Sequence, residues 1–167
     1  GVIVQGVEAG GHVRGTKPAH ELLAQVRAAL PRDFPLWLAG GIAEAQDVAR
    51  ALDAGAEAAV AGTRFLLSDE SDAHPAYKAR AREADETLLT DVFSSGWPAA
   101  HRVLPNEATR RWVRADGRTA RWVRGMHRAS APLLRRVPLG LSIRLASTQR
   151  PALPLLGPAA PVAAMDD

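Results

Sequence analysis

Three short apolar runs, each closed by glycine, organise the chain as far as Phe65. The first, Val2-Ile3-Val4, is continuous and β-branched, a pattern that predicts a parallel strand buried on both faces. It opens into Gln5, Gly6, Gly10, Gly11 and His12, a polar, glycine-rich loop. Pro18 then leads a helix over 19–30, with Leu22, Leu23, Val26 and Leu30 on one stripe at three- and four-residue spacing. Pro31 ends it. Phe34 to Ala39 reads as the second strand, with Pro35 tolerable only near its start. After Gly40-Gly41, the segment 42–54 predicts a second helix with Ile42, Ala45, Val48, Ala49 and Leu52 inward. Gly55 stands at its C-terminal cap. Ala58 to Ala61 is the third run, ending at Gly62-Thr63-Arg64-Phe65. Strands and helices alternate at about 30 residues or fewer per unit, which means βαβ units and a parallel sheet.

The pattern weakens beyond Phe65. A helix is expected over 74–86, capped by Asp69, Ser71 or Asp72, with Tyr77, Ala81 and Ala84 inward. Residues 87–106 read as mixed, extended over 87–93 and turning at Gly96-Trp97-Pro98. Helices are expected over 107–114 and 125–136. From Pro138 the chain is rich in Pro and Leu, and Pro151, Pro154, Pro158 and Pro161 preclude a long helix. This tail is expected to wrap over a larger body, and Trp97, Trp112 and Trp122 to serve as its buried packing.

Composition narrows the classes. The chain has 167 residues and no cysteine, which excludes disulfides and thiolate metal sites. No apolar run approaches bilayer-spanning length, and a soluble, cytoplasmic protein is expected. The net charge of +3 is unevenly spread. Residues 101–150 hold 12 arginines against Glu107 and Asp116 alone. These arginines are scattered among Ala, Leu, Val and Trp with no nucleic-acid reader motif. They read as a solvated, partly pairing face, with neither nucleic acid nor membrane as partner.

The chemistry sits in the glycine loops. At the carboxyl ends of parallel strands the loops open outward while the strands fix where side chains point. His12 can move a proton near neutral pH. Gly10 and Gly11 carry no Cβ, so a flat ligand could approach the backbone. Gly40-Gly41 at a helix start offers unpaired amides and a favourable helix dipole to an anion. Gly62 permits close approach, Thr63 adds a hydroxyl, and Arg64 could pair with phosphate or with an acid. Glu8 is either a second acid near the site or a structural, helix-facing or Arg-paired carboxylate. His20, His74, His101 and His127 lack metal-ligand spacing and read as surface or capping residues. Asp69, Glu70 and Asp72 read as an acidic cluster at a helix N-terminus, and no metal is expected.

The block Gln5-Gly6-Val7-Glu8-Ala9-Gly10-Gly11-His12 resembles the nitronate monooxygenases (formerly 2-nitropropane dioxygenases), which are FMN-dependent TIM-barrel enzymes. Leu38-Ala39-Gly40-Gly41-Ile42-Ala43 and Val60-Ala61-Gly62-Thr63-Arg64-Phe65 match the same family in the same order. More weakly, Gln149-Arg150-Pro151 and Leu155-Leu156-Gly157-Pro158 are similar to the C-terminus of some relatives. The resemblance implies FMN-dependent oxidation of alkyl nitronates by O₂, with His12 catalytic. It implies FMN contacts at Gln5, Gly10, Gly11, Gly40, Gly41, Val60, Ala61, Gly62 and Thr63. Val60-Ala61 departs from many relatives, which carry Gln and a larger hydrophobe there; backbone contacts survive this change and a side-chain amide contact does not.

The implied fold is α/β, the C-terminal portion of a (β/α)₈ barrel. About three βα units would occupy residues 1–110, with a basic extension over 111–167 packing on them. A complete barrel needs roughly 250 residues, so the chain is expected to be part of a larger enzyme. Two flavin-dependent reductases of the same superfamily, enoyl-acyl-carrier-protein reductase and NADH:quinone reductase, share these loops and are the alternative. A catalytically inactive partial barrel that associates with a complementary chain is the reading from another class. With bare parallel edges, Val2, Val4, Leu36, Leu38 and Val60 are expected to be partly exposed, and the chain to self-associate or aggregate, a homo-oligomer being one such outcome.

Overall fold

The amide of Val2 donates to the Pro35 carbonyl at 3.0 Å and starts the register of a parallel sheet. In the computed structural model, residues 1–94, 99–134, 136–138, 140, 141 and 144 are described. The chain divides into two compact units, Gly1–Ser68 and Asp69–Asp167. The first unit runs β1 (Val2–Gln5), β2 (Gly11–Val13), α1 (Ala19–Ala29), β3 (Leu36–Ala39), α2 (Ala45–Asp53), β4 (Ala58–Val60) and α3 (Thr63–Leu66). Strands β1, β3 and β4 lie side by side in that order, all parallel. The pairings Gln5↔Ala39 and Ala39↔Val60 bring three strand ends into one row. The α/β architecture with a parallel sheet follows from the alternating pattern of the sequence.

One face of that sheet forms the core. Helix α1 packs on β1 and β3, and α2 packs on β4. Val4, Leu23, Leu36, Leu38, Ile42 and Ala51 are buried together, with Leu22, Val26 and Leu30 at the margin as the α1 stripe predicts. Each fully buried leucine contributes roughly 1.5–3 kcal/mol. Burial of β1 on both faces is not observed: Ile3 is 55% exposed, beside Trp37 at 45% and Val60 at 37%. Side chains alternate across a strand, and the helices cover only the face bearing Val4, Leu36 and Leu38. Those three are therefore buried, contrary to the expectation of partial exposure, whereas Val2 and Val60 are exposed as expected.

Helix α2 begins at Ala45, three residues later than the sequence pattern suggests. Glu44 is its N-cap, and Glu44 with Asp47 forms a reciprocal capping box. Its contact with the sheet is also narrower: Ala51 is buried, while Val48 and Leu52 are exposed. The C-terminus is as predicted. Gly55 has φ +92, its amide donates to Leu52, and the Ala56 amide donates to Ala51, a Schellman stop.

The second unit has α4 (Pro75–Glu83), the antiparallel pair β5 (Leu88–Thr90) and β6 (Ala100–Val103), α5 (Glu107–Trp112) and α6 (Arg121–Leu134). His74 caps α4, its Nδ1 accepting from the Ala76 amide at 3.2 Å, in place of the expected Asp69, Ser71 or Asp72. Strand β6 was not legible because His101 takes an inward position beside Val103 and breaks the apolar alternation. A second core gathers Val92, Phe93, Val103, Ala108 and Val123. His101 and His127 are buried, not at the surface. Trp112 lies against this core, but Trp122 is 53% exposed and not buried. The turn read at Gly96-Trp97-Pro98 and the proline-rich tail from residue 145 onward fall outside the described residues.

Candidate active site

The loop after β1 is built by its own chain. A Cβ at Gly6 would lie 2.4 Å from Ala19, so only glycine lets this loop pass the start of α1. The Gly6 amide donates to Ala39 at 2.9 Å and the Val7 amide to Lys17 at 2.9 Å. Glu8 Oε2 accepts from the Ala19 amide at 3.0 Å, at the N-terminus of α1. Of the two readings of Glu8, the helix-facing structural one is what the geometry shows. Gln5 Nε2 donates to the His12 carbonyl at 3.2 Å and ties the end of β1 to the segment that carries the histidine. His12 belongs to β2 and not to an irregular loop. Its ring is exposed at the edge of this loop, and partial desolvation lowers its pKa below the ordinary 6.5. The neutral imidazole therefore prevails at neutral pH.

The loop after β3 folds against the first one. Gly40 (φ +115) and Gly41 (φ +69) adopt conformations that side-chain-bearing residues rarely reach. A Cβ at Gly40 would meet the Ala9 amide nitrogen at 3.0 Å, and one at Gly41 would meet Glu8 at 3.6 Å. The helix-start anion site expected here differs in detail. Asp47 Oδ2 accepts from the amides of Ala43 at 2.9 Å and Glu44 at 2.8 Å. These two amide bonds, then Arg50, hold the Asp47 carboxyl at a pKa of about 2. The amides of the N-cap and of the residue before it are thus answered by the chain's own carboxylate.

Val60 ends β4, and Ala61 leads to Gly62, the N-cap of the single-turn α3. Gly62 has an ordinary φ of −108, and a Cβ there would meet nothing within 4 Å. Gly10 likewise faces open space. Thr63 and Arg64 are exposed. Because Gln5, Ala39 and Val60 are level in the sheet, Gln5, Gly40, Gly41, Val60, Ala61, Gly62 and Thr63 share one rim. The Gln5 side chain on the His12 carbonyl ties the start of β2, with Gly11 and His12, to that rim. Sequence reasoning missed Asp47, although a carboxylate three residues into a helix is an N-terminal signal. Among the described residues, no group of three His, Cys, Asp or Glu side chains is placed to hold a metal ion.

An α/β protein with a parallel sheet and a rim of glycine loops is the class these observations define. The chain belongs to the nitronate monooxygenase family, whose model matches residues 1–141. It is 41% identical to a nitronate monooxygenase of Pseudomonas aeruginosa, over 63% of this chain and 31% of the relative. A solved nitroalkane oxidase from Streptomyces ansochromogenes superposes with a TM-score of 0.62 at 32% identity, covering 98% of this chain and 47% of that one. FabK from Thermotoga maritima superposes with a TM-score of 0.63 at 26% identity, covering 93% and 46%. The chain thus spans under half the length of the relatives it matches.

Proposed function

We propose that this chain carries the phosphate-binding rim and the catalytic histidine of an FMN-dependent nitronate monooxygenase, which oxidises alkyl nitronates with O₂. One observation supports it most: Gly10 and Gly62 have space that no described residue claims, in the loops that follow β1 and β4. Neither the backbone conformation nor packing requires glycine at position 62, whereas a ligand lying against the backbone would.

The residues fit the phosphate end of a flavin. Gly40, Gly41, Val60, Ala61, Gly62 and Thr63 would hold it through backbone amides and the Thr63 hydroxyl, and Gln5, Gly10 and Gly11 would border the ring. When bound, the flavin supplies the redox chemistry and the protein supplies position and electrostatics. His12, neutral at working pH, is suited to take a proton from substrate and less suited to offer a fixed positive charge. In this reading the sheet is the closing part of a (β/α)₈ barrel over residues 1–110, with 111–167 as an extension upon it. The exposed Ile3, Trp37 and Val60 face would then line the barrel interior. A cytoplasmic, homo-oligomeric enzyme acting on a small nitronate belongs to the same proposal.

Purified protein is titrated with FMN and assayed for O₂ uptake with an alkyl nitronate, and separately for NADH oxidation with a quinone or an enoyl thioester. Nitronate-dependent O₂ uptake is expected. NADH oxidation alone would move the assignment to a flavin reductase. Flavin binding without turnover would make the chain a partial barrel that needs a complementary polypeptide.

A further inference from the structure

Between Arg110 and Arg128 the chain carries seven arginines against Asp116 alone. The fold gathers them. Val113 and Thr119 bridge across a tight turn in which the Arg114 amide donates to the Arg118 carbonyl at 2.9 Å, so two guanidiniums leave one bend. Helix α6 follows. Its buried side holds Val123 and His127. At 100° per residue, Arg121, Arg124 and Arg128 form a row along one flank, roughly 80–140° round from the buried side, all exposed. The ion pairs Lys17–Glu21 and Arg50–Asp47 lie in the first unit and do not involve this row.

Beside the arginine row runs a second stripe with a different chemistry. Trp122, Gly125, Ala129 and Leu133 follow one another at three- and four-residue spacing, and all are exposed. Leu133 is 70% exposed and Trp122 is 53% exposed. The Trp122 ring is held edge-on to Trp112, with centroids 4.7 Å apart, so its outward face is fixed in place. Arg111 lies 4.9 Å over the Trp112 ring and extends the same charged border. The stripe spans about 16 Å along the helix axis.

We infer that the exposed face of α6 docks on an anionic membrane surface, with Arg121, Arg124 and Arg128 at the phosphate headgroups and Trp122 and Leu133 entering the acyl boundary. A helix with a basic row beside an apolar stripe is suited to lie in the headgroup plane. Phosphates alone would be answered by the arginines. The adjoining Leu133 gains nothing from a nucleic-acid backbone, and this decides between the two polyanions. Docking requires no membrane-spanning segment, and no described helix is long and apolar enough to cross a bilayer.

The test is co-sedimentation of the full chain with vesicles of phosphatidylcholine alone and of phosphatidylcholine mixed with phosphatidylglycerol, with Trp fluorescence read in parallel. Binding to the anionic vesicles only, weakened by salt and accompanied by a blue shift, is expected. Replacing Arg121, Arg124 and Arg128 together by Gln should weaken binding about a hundredfold, at about 1 kcal/mol per charge near the surface. Leu133→Ser alters an exposed side chain, leaves the charge intact, and should weaken binding several-fold with an unchanged circular dichroism spectrum. Equal binding to both vesicle types overturns the inference, as does no binding to either. Duplex DNA binding that is lost in the Gln variant but insensitive to Leu133→Ser would reassign the face to nucleic acid.

Discussion

A methyl group added at Gly6 would lie 2.4 Å from Ala19, whereas one added at Gly62 would meet nothing within 4 Å. Both glycines belong to loops at the same end of one sheet. In the loop after β1 the chain packs against itself, with Glu8 on the Ala19 amide, Gln5 on the His12 carbonyl and Gly6 against the start of α1. In the loop after β4 the space beside the backbone stays open. Glycine is thus required by the fold at position 6 and available to a ligand at position 62, while Gly10 in the first loop is open like Gly62. The middle loop differs from both, since Gly40 and Gly41 need glycine for their positive φ.

The comparison is broken most forcefully at Gly6. Gly6→Ala is expected to destabilise the first unit by about 3 kcal/mol or more, because the clash is with backbone, which cannot rotate aside. Urea unfolding followed by circular dichroism measures it, and a midpoint equal to the parent's would mean that the loop relaxes freely. His12→Asn tests chemistry without touching that packing. Turnover of flavin-loaded enzyme should fall about a hundredfold with flavin retained. With a folded pKa below 6.5, His12 should give kcat/KM an acid limb that falls as pH drops below that value. The limb should be absent from His12→Asn. A rate that rises on acidification would make the imidazolium the active form.

Gly62→Ala is the complementary change. Its φ of −108 accepts alanine and the space is open, so stability should stay within about 1 kcal/mol of the parent. FMN affinity should fall about tenfold, read by quenching of flavin fluorescence. Unchanged affinity would move the phosphate away from β4. Gly41 is a poorer probe, because its φ of +69 would strain the backbone of any larger residue and confuse the two roles.

How much of this was legible varied with the physics involved. The alternation of apolar runs, helical stripes and glycines sufficed for β1, α1, β3, α2 and β4, because local periodicity and burial agree there. The outward face of β1 was misjudged, since Ile3 has the side chain of a core residue and no partner layer among the described residues. Strand β6 was hidden because its inward His101 is polar. The rim positions were readable from glycine spacing, but the capture of the Ala43 and Glu44 amides by Asp47 depends on a loop geometry that no periodicity encodes. The row formed by Arg121, Arg124 and Arg128 could be counted in the sequence, and only the burial of Val123 and His127 shows which way it faces.

The smallest effect separates the two loops most cleanly. Asp47 holds two backbone amides and Arg50, and its folded pKa of about 2 lies below the ordinary 3.8. A depressed carboxyl pKa contributes stability that is fully present above the unfolded value and is lost as pH falls through the folded one. The gap in melting temperature between the parent and Asp47→Asn should therefore be constant from neutral pH down to about 4, then close progressively toward about 2. The amide bonds are the leading cause, so added salt should narrow the gap only in part. FMN affinity should not change, because the phosphate is assigned to Gly40, Gly41 and residues 60–63, and the Ala43 and Glu44 amides are not among them. Asp47→Asn would then alter stability without altering the ligand, the reverse of Gly62→Ala. Should it instead tighten FMN or free phosphate, the Ala43 and Glu44 amides are part of the anion site and Asp47 competes for them.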